Sequence, residues 1–274
     1  MGRVTTSSIK EMPMTARTLV FGDDGSTEAD RVWRWITSQK WDGWRAQVIN
    51  ADPPEIPTRL SAPDADKPHP WDPPQPRIAV ASSGLSAVEH LRAEVDPRVA
   101  LTEVDAASLI VVGPRGAGAM KALGIGSTTE YLLAGAPAPL LISRGESRVG
   151  QVLVCADGSE FSIHAAEAAA CLPWISETNV SVMTVNPTLG HDPEGVDRAA
   201  SALESAGATV RRLSGEGKVS RAIEDEAERT GTDLIVVGTR SIAGLRKALL
   251  GSTASWLARH AECSVLVAFP EVSS

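Results

Sequence analysis

The residues best suited to chemistry form one glycine-rich run: Gly113-Pro114-Arg115-Gly116, nine further residues, then Gly126-Ser127-Thr128. It directly follows the apolar stretch Leu109-Ile110-Val111-Val112. Glycines let a backbone turn and come close to a ligand. A helix opening at Gly126 offers unpaired N–H groups and a partial positive charge, a cradle for phosphate. The hydroxyls of Ser127 and Thr128 add donors, and Arg115 and Lys121 are cations of the kind that grip phosphate oxygens. Ser127 and Glu130 also have the spacing of a capping box. Taken singly, each feature has a plain structural explanation: glycines end strands and serines cap helices.

An acidic residue stands opposite this run. Asp24, in Asp24-Gly25-Ser26, follows the apolar stretch Thr18–Phe21. A carboxylate there can accept hydrogen bonds from a base or a ribose hydroxyl. Ile49 ends a second apolar stretch and offers an apolar wall or a backbone contact. Asp23 beside Asp24 either helps hold a divalent ion or sits in solvent, and the solvated arrangement is expected. All these positions fall at the carboxyl ends of expected strands, where open α/β sheets bind ligands.

The elements that must position these residues occur twice. Leu109-Ile110-Val111-Val112-Gly113 reappears as Leu234-Ile235-Val236-Val237-Gly238, and Gly126-Ser127-Thr128 reappears at the same offset as Gly251-Ser252-Thr253. Asp24-Gly25-Ser26 has its copy in Asp157-Gly158-Ser159. Such self-similarity predicts repeated architecture. The chain divides into a tail (1–14), a first domain (15–146) and a second domain (149–271). In the second, strands are expected at Gln151–Cys155, Val180–Val185, Ala208–Leu213, Leu234–Val237 and Val265–Phe269. Helices are expected between them, at Pro193–Gly207, Val219–Thr230 and Ser252–His260 among others. This alternation predicts an α/β fold: two tandem, open, doubly wound sheets, each of five mostly parallel strands. First-half strands are expected at Thr18–Phe21, Ala46–Ile49, Arg77–Ala81, Leu109–Val112 and Leu140–Ser143. Its first helix starts at Ser26, with Ala29, Val32, Trp33 and Ile36 on one face and Trp35 turned toward the other half or a subunit interface. Residues 51–76 carry nine prolines, which suit an extended loop rather than the helix expected there by analogy.

Length and charge set outer limits. At 274 residues, two domains are expected. A net charge of −8 argues against nucleic acid or anionic membrane as a bulk electrostatic partner. No apolar run is long enough to span a membrane, and the first 14 residues lack a signal-peptide core, so a cytoplasmic protein is expected. Cys155, Cys171 and Cys263 show neither zinc spacing nor an even count, and read as small apolar residues. His90, His164 and His260 have no partners at catalytic spacing.

With these motifs in view, the chain resembles the universal stress protein family, with two such domains in tandem. The family's ATP-binding signature is G-x-x-G, nine residues, then G-S or G-T. Gly113, Gly116, Gly126 and Ser127 match it. The resemblance implies an adenine nucleotide α-hydrolase-like, Rossmann-like fold. It implies that Asp24 and Ile49 meet the adenine side, Val112, Gly113, Arg115 and Gly116 approach ribose and phosphates, and Gly126, Ser127 and Thr128 hold phosphates. The second-half counterparts are Asp157, Val185, Val237, Gly238, Arg240, Gly251, Ser252 and Thr253. There Ser241 replaces the second glycine, which weakens that site if the position needs a positive φ or close approach. The implied ligand is ATP, accompanied by Mg2+, with cyclic AMP as an alternative. The implied assembly pairs the two halves through their last strands, with a homodimer of chains as a further expectation.

The implied role is that of a nucleotide sensor in the stress response, without efficient catalysis. A weak ATPase or an adenylating enzyme of related fold is the alternative. The latter uses an S-G-G-x-D-S loop after its first strand, whereas Ser82-Ser83-Gly84-Leu85-Ser86 follows the expected third strand and lacks the aspartate.

Overall fold

The computed structural model describes residues 17–51, 76–104, 106–116, 124–188, 192–241, 248–249 and 251–269. The tail, Lys121 and nearly all of the proline-rich stretch lie outside them. The first half runs β1 (Arg17–Gly22), α1 (Thr27–Ser38), β2 (Trp44–Ala51), β3 (Val88–Ala93), α2 (Pro97–Thr102), β4 (Leu109–Val112), α3 (Ser127–Leu133) and β5 (Leu140–Ile142). The second runs β6 (Gln151–Cys155), α4 (Glu160–Ala170), β7 (Asn179–Val185), α5 (Pro193–Ser205), β8 (Thr209–Gly215), α6 (Val219–Thr230) and β9 (Leu234–Gly238). It ends with β10 (Arg240–Ser241), β11 (Ala248–Leu249), α7 (Ser252–His260) and β12 (Ser264–Ala268).

The two expected five-stranded sheets are fused into one of ten strands, ordered β3-β2-β1-β4-β5-β12-β9-β6-β7-β8. Within each half of this sheet all pairings are parallel, and β10 and β11 form a separate antiparallel pair. The seam is antiparallel, with Leu141 opposite Leu266. Continuous apolar strands such as Leu109–Val112 suit this arrangement, since a parallel sheet is covered on both faces. One face packs against α1, α4 and α5, the other against α2, α3, α6 and α7. In both halves the strand order reverses beside the first strand, between β1 and β4 and between β6 and β9.

One strand differs from the sequence reading. Arg77–Ala81 is not a strand; the third strand is β3, Val88–Ala93, paired in register with Ala46–Ala51. The apolar look of Ile78-Ala79-Val80 misleads, because Ile78 is 76% exposed and Val80 50% exposed. The polar sequence of β3 hides a strand because it is an edge, where charged side chains are expected.

Four tryptophans lock the halves together. Trp35 from α1 meets Trp174 of the second half edge-on at 6.3 Å, and Trp41 meets both Trp44 and Trp174 edge-on. Trp35 therefore faces the other half, one of its two expected partners. Beside it the buried Gln39 amide accepts from Val149 N–H at 3.0 Å and donates to Ser147 carbonyl at 3.1 Å. The connection between the halves is thus hydrogen-bonded to the first half rather than to water.

Candidate functional site

Both Asp-Gly-Ser turns are built alike. Asp24 Oδ1 accepts from Ser26 N–H at 3.1 Å, and Asp157 Oδ1 accepts from Ser159 N–H at 3.0 Å. Ser26 and Ser159 then cap α1 and α4 by accepting from Ala29 and Ser162 N–H groups. Asp24 therefore does make a turn with one carboxylate oxygen. Its other oxygen, Oδ2, lies against Gly116, so closely that a Cβ there would collide with it. Gly116 has no positive φ, and neither has Ser241. A positive φ is therefore not the reason for a glycine at this position.

The first-half glycine run is braced from several sides. Gly126 N–H donates to Pro114 carbonyl at 2.7 Å, and Arg115 Nε donates to Gly124 carbonyl at 3.1 Å. Thr129 Oγ1 donates to Gly113 carbonyl at 2.9 Å. A Cβ on Gly113 would lie 3.1 Å from Glu28 Cγ, and one on Gly126 3.5 Å from Gly116 N. Asp24, Arg115, Gly116 and Ser127 are exposed, while Gly113, Gly126 and Thr128 are half-buried. These residues surround the carboxyl ends of β1 and β4, the point of strand-order reversal. The expected capping box is absent. Gly126 itself is the N-cap, so Ser127 is the first helical residue, and Glu130 pairs instead with Arg259.

The apolar wall is revised. Ile49 and Val112 are buried in the core, 5% and 4% exposed, and Ile49 carbonyl accepts from Asp23 N–H at 3.0 Å. The sheet register makes Met183, not Val185, the counterpart of Ile49. Gly22 is level with Ile49, and Cys155, its repeat equivalent, is level with Met183. Val185 corresponds to Ala51 by the same count.

Asp23 is not solvated. Its side chain is 1% exposed and takes a bidentate pair from Arg77, Nε to Oδ2 at 2.7 Å and Nη2 to Oδ1 at 2.9 Å. Arg77 also reaches Asp30 at 2.6 Å, and the Asp23 hydrogen bond holds its guanidinium pKa above the ordinary arginine range. Asn50 donates to Asp23 carbonyl at 2.9 Å. The second half has Ala156 in the place of Asp23, and there the backbone of Asp192 and Gly195, where α5 begins, presses on Gly158. Asp23 and Arg77 were missed because they are far apart in sequence; the Asp/Ala difference between the copies was the available signal. Replacing Arg77 by lysine keeps the charge but loses the fork. It is expected to cost about 1.5 kcal/mol, roughly one charged hydrogen bond. Urea denaturation measures this, and an unchanged midpoint would refute the assigned role.

In the second half Gly238 packs on the carbonyl of Phe161, Val237 is buried, and Thr239 N–H is taken by Ala268 carbonyl. Arg240 and Ser241 form β10, level with Leu249 and Ala248. Gly251 is the N-cap of α7, with open space beside it, and Ser252 and Thr253 follow in its first turn. Asp157 is half-buried, just beyond the carboxyl end of β6. Burial pushes the Cys155 thiol up to about 12 and Cys263 to about 11, so neither is a thiolate at neutral pH. Ser82–Ser86 lies at the opposite end of the sheet, where Ser83 carbonyl accepts from Trp41 N–H and Ser86 N–H donates to Trp44, the first residue of β2. Among the described residues no group of three His, Cys, Asp or Glu side chains is gathered as for a metal. No described helix is long and apolar enough to cross a membrane.

A doubled parallel sheet with a glycine-rich loop at its switch point defines a tandem, doubly wound, Rossmann-like α/β protein. The universal stress protein family model matches residues 15–144 and again 149–268, so the chain belongs to that family, twice over. A universal stress protein of Mycolicibacterium smegmatis is 27% identical over 291 aligned positions, covering 92% of this chain and 97% of the relative. One from Methanocaldococcus jannaschii is 30% identical, covering 46% of this chain and 86% of its own. A crystal structure of a universal stress protein from Archaeoglobus fulgidus superposes with a TM-score of 0.68 at 19% identity, over 93% of this chain and 99% of that one. This last likeness supports the fold.

Proposed function

We propose that the chain binds ATP, principally in its first half, and serves as a nucleotide-responsive regulator rather than an efficient catalyst. The observation that carries this reading is the contact of Asp24 with Gly116. It joins the acidic turn after β1 to the glycine loop after β4, across the switch point where α/β sheets bind ligands. Exposed backbone of the loop and the Ser127 and Thr128 hydroxyls would hold phosphates, with Arg115, tied through Nε to Gly124 carbonyl, as the nearby cation. Asp24 Oδ2 would turn from Gly116 to a ribose or base donor. Mg2+ would arrive with the phosphates, as is usual for an ion that keeps several waters and few protein ligands. The second half offers Gly251, Ser252 and Thr253 but presents a strand residue, Ser241, where the first offers Gly116. We assign it the weaker site. Among the described residues no cysteine or histidine is arranged as a nucleophile or base beside the loop, which favours binding over turnover.

Calorimetric titration with ATP and with cyclic AMP, alongside mass spectrometry of what co-purifies, tests the proposal. The expected isotherm has a tight ATP site and a second, weaker one. Absence of binding by either nucleotide to folded protein would overturn it, and preference for cyclic AMP would replace the ligand while keeping the site.

A further inference from the structure

The first-half loop is held by the second half, and the arrangement is one-sided. Arg259, in the last turn of α7, pairs its guanidinium with Glu130 of α3. Its backbone carbonyl lies 3.5 Å from the position of a Cβ on Gly124, a glycine with φ +73°. Gly124 carbonyl in turn accepts from Arg115 Nε. Arg144, at the end of β5, donates to the carbonyls of Ala258 and Cys263, satisfying acceptors at the carboxyl end of α7. Its N–H donates to Ser264 Oγ at 3.1 Å. A chain of direct contacts thus runs from α7 of one half to Gly124, Arg115 and Glu130 of the other.

The internal repeat shows that the reverse contact cannot exist in the same form. The counterpart of Arg259 in the first half is Ala134, the counterpart of Glu130 is Ser255, and that of Gly124 is Leu249. Alanine and serine supply no ion pair. The first half, the copy with the complete glycine signature, therefore receives an ion pair that the counterpart positions Ala134 and Ser255 do not return. The amino end of the bracing helix is Gly251-Ser252-Thr253, the second half's own candidate phosphate segment.

We propose that Arg259 is a positioning residue for the first-half nucleotide site: its guanidinium fixes Glu130 in the first turn of α3 from the opposite half, and with it the adjoining Gly124–Gly126 segment to which Arg115 and Pro114 are hydrogen-bonded. The inference rests on the ATP reading above for its functional consequence, but its structural part stands separately. Arg259 touches no ligand in this scheme. It acts by ordering a loop before the ligand arrives, which lowers the entropy that binding must otherwise overcome.

The test uses the full chain and two readouts. Hydrogen exchange of the nucleotide-free protein reports the amides of residues 124–130, and calorimetry reports ATP affinity at the tighter site. Arg259→Ala is expected to speed exchange there while the β1 and β9 amides keep their protection. It should weaken ATP binding about two- to five-fold, as fits a partly exposed ion pair. Arg259→Glu, which faces Glu130 with a like charge, should weaken it further. The exchanged pair Glu130→Arg with Arg259→Glu should restore both readouts, which a merely destabilising substitution would not allow. Unchanged exchange and affinity in Arg259→Ala, or no rescue in the exchanged pair, would overturn the proposal. If no variant and not even the parent chain binds nucleotide, the ATP reading fails, while faster exchange in Arg259→Ala still establishes the brace.

Discussion

Replacing Gly116 with leucine is expected to abolish tight ATP binding by the first half while leaving the fold intact. The physical reason lies in the contact with Asp24. A Cβ at position 116 would overlap Asp24 Oδ2, so that carboxylate must move before any side chain fits. Asp24 is on the surface, and the loop around Gly116 is exposed, so both can shift without opening the core. The proposed site is less tolerant, because the leucine side chain itself would stand over the exposed loop backbone assigned to the phosphates. Its acidic turn and its glycine loop meet at that contact, and the loop is tied to Gly126 through Pro114 carbonyl. Overpacking a close contact costs about 1–3 kcal/mol, and the upper part of that range corresponds to roughly 100-fold in affinity. Titration calorimetry with a parallel melting curve separates the two effects. Wild-type affinity in the leucine variant would remove the glycine loop from the ligand site. A loss of affinity matched by a large fall in melting temperature would count against the surface character assigned to the loop.

Trp35→Ala is expected to be the most damaging core substitution. Trp35 is 1% exposed and packs between Trp41 of its own half and Trp174 of the other. Its removal leaves a large cavity at the joint, where Gln39 can hold the connecting segment only if α1 keeps its place. Losing a buried tryptophan costs about 3–5 kcal/mol. For a chain of this size that is a fall in melting temperature of about 8 °C. The two halves share a continuous sheet and this tryptophan cluster, so they are expected to melt together in the parent protein. Circular dichroism in the near ultraviolet follows the tryptophans directly. A shift of less than about 2 °C would mean that the seam between β5 and β12 holds the halves without help from this cluster.

Much of the architecture was legible because the responsible signals are local. Leu109–Val112, Gln151–Cys155, Val219–Thr230 and Ser252–His260 fall where apolar runs and helical spacing place them. Ser26 and Ser159 cap the helices after their turns, because a serine after Asp-Gly has the acceptor that an opening helix needs. The resemblance also supplied the pairing of last strands that the seam displays. Errors arose where a partner from elsewhere in the chain decides. Ile78–Val80 looked like a buried strand, yet Arg77 is drawn to Asp23 and Asp30, and the ladder passes to Val88–Ala93. Ser127 and Glu130 had the spacing of a capping box, but Gly126 takes the cap and Arg259 takes the glutamate. Ile49 and Val185 looked equivalent until the register set Met183 beside Cys155.

By itself, then, the sequence determined the doubled α/β plan, the loop at Gly113–Gly116 and its likeness to the universal stress protein family. Those properties follow from side-chain periodicity and backbone freedom, which act over a few residues. Only the tertiary structure decided that the two sheets are one, that Asp23 is buried under Arg77, and that Gly116 lies against Asp24. It alone showed the first-half loop braced by Arg259. Each of these depends on a contact between residues distant in the chain, and such contacts exist only after the elements have packed.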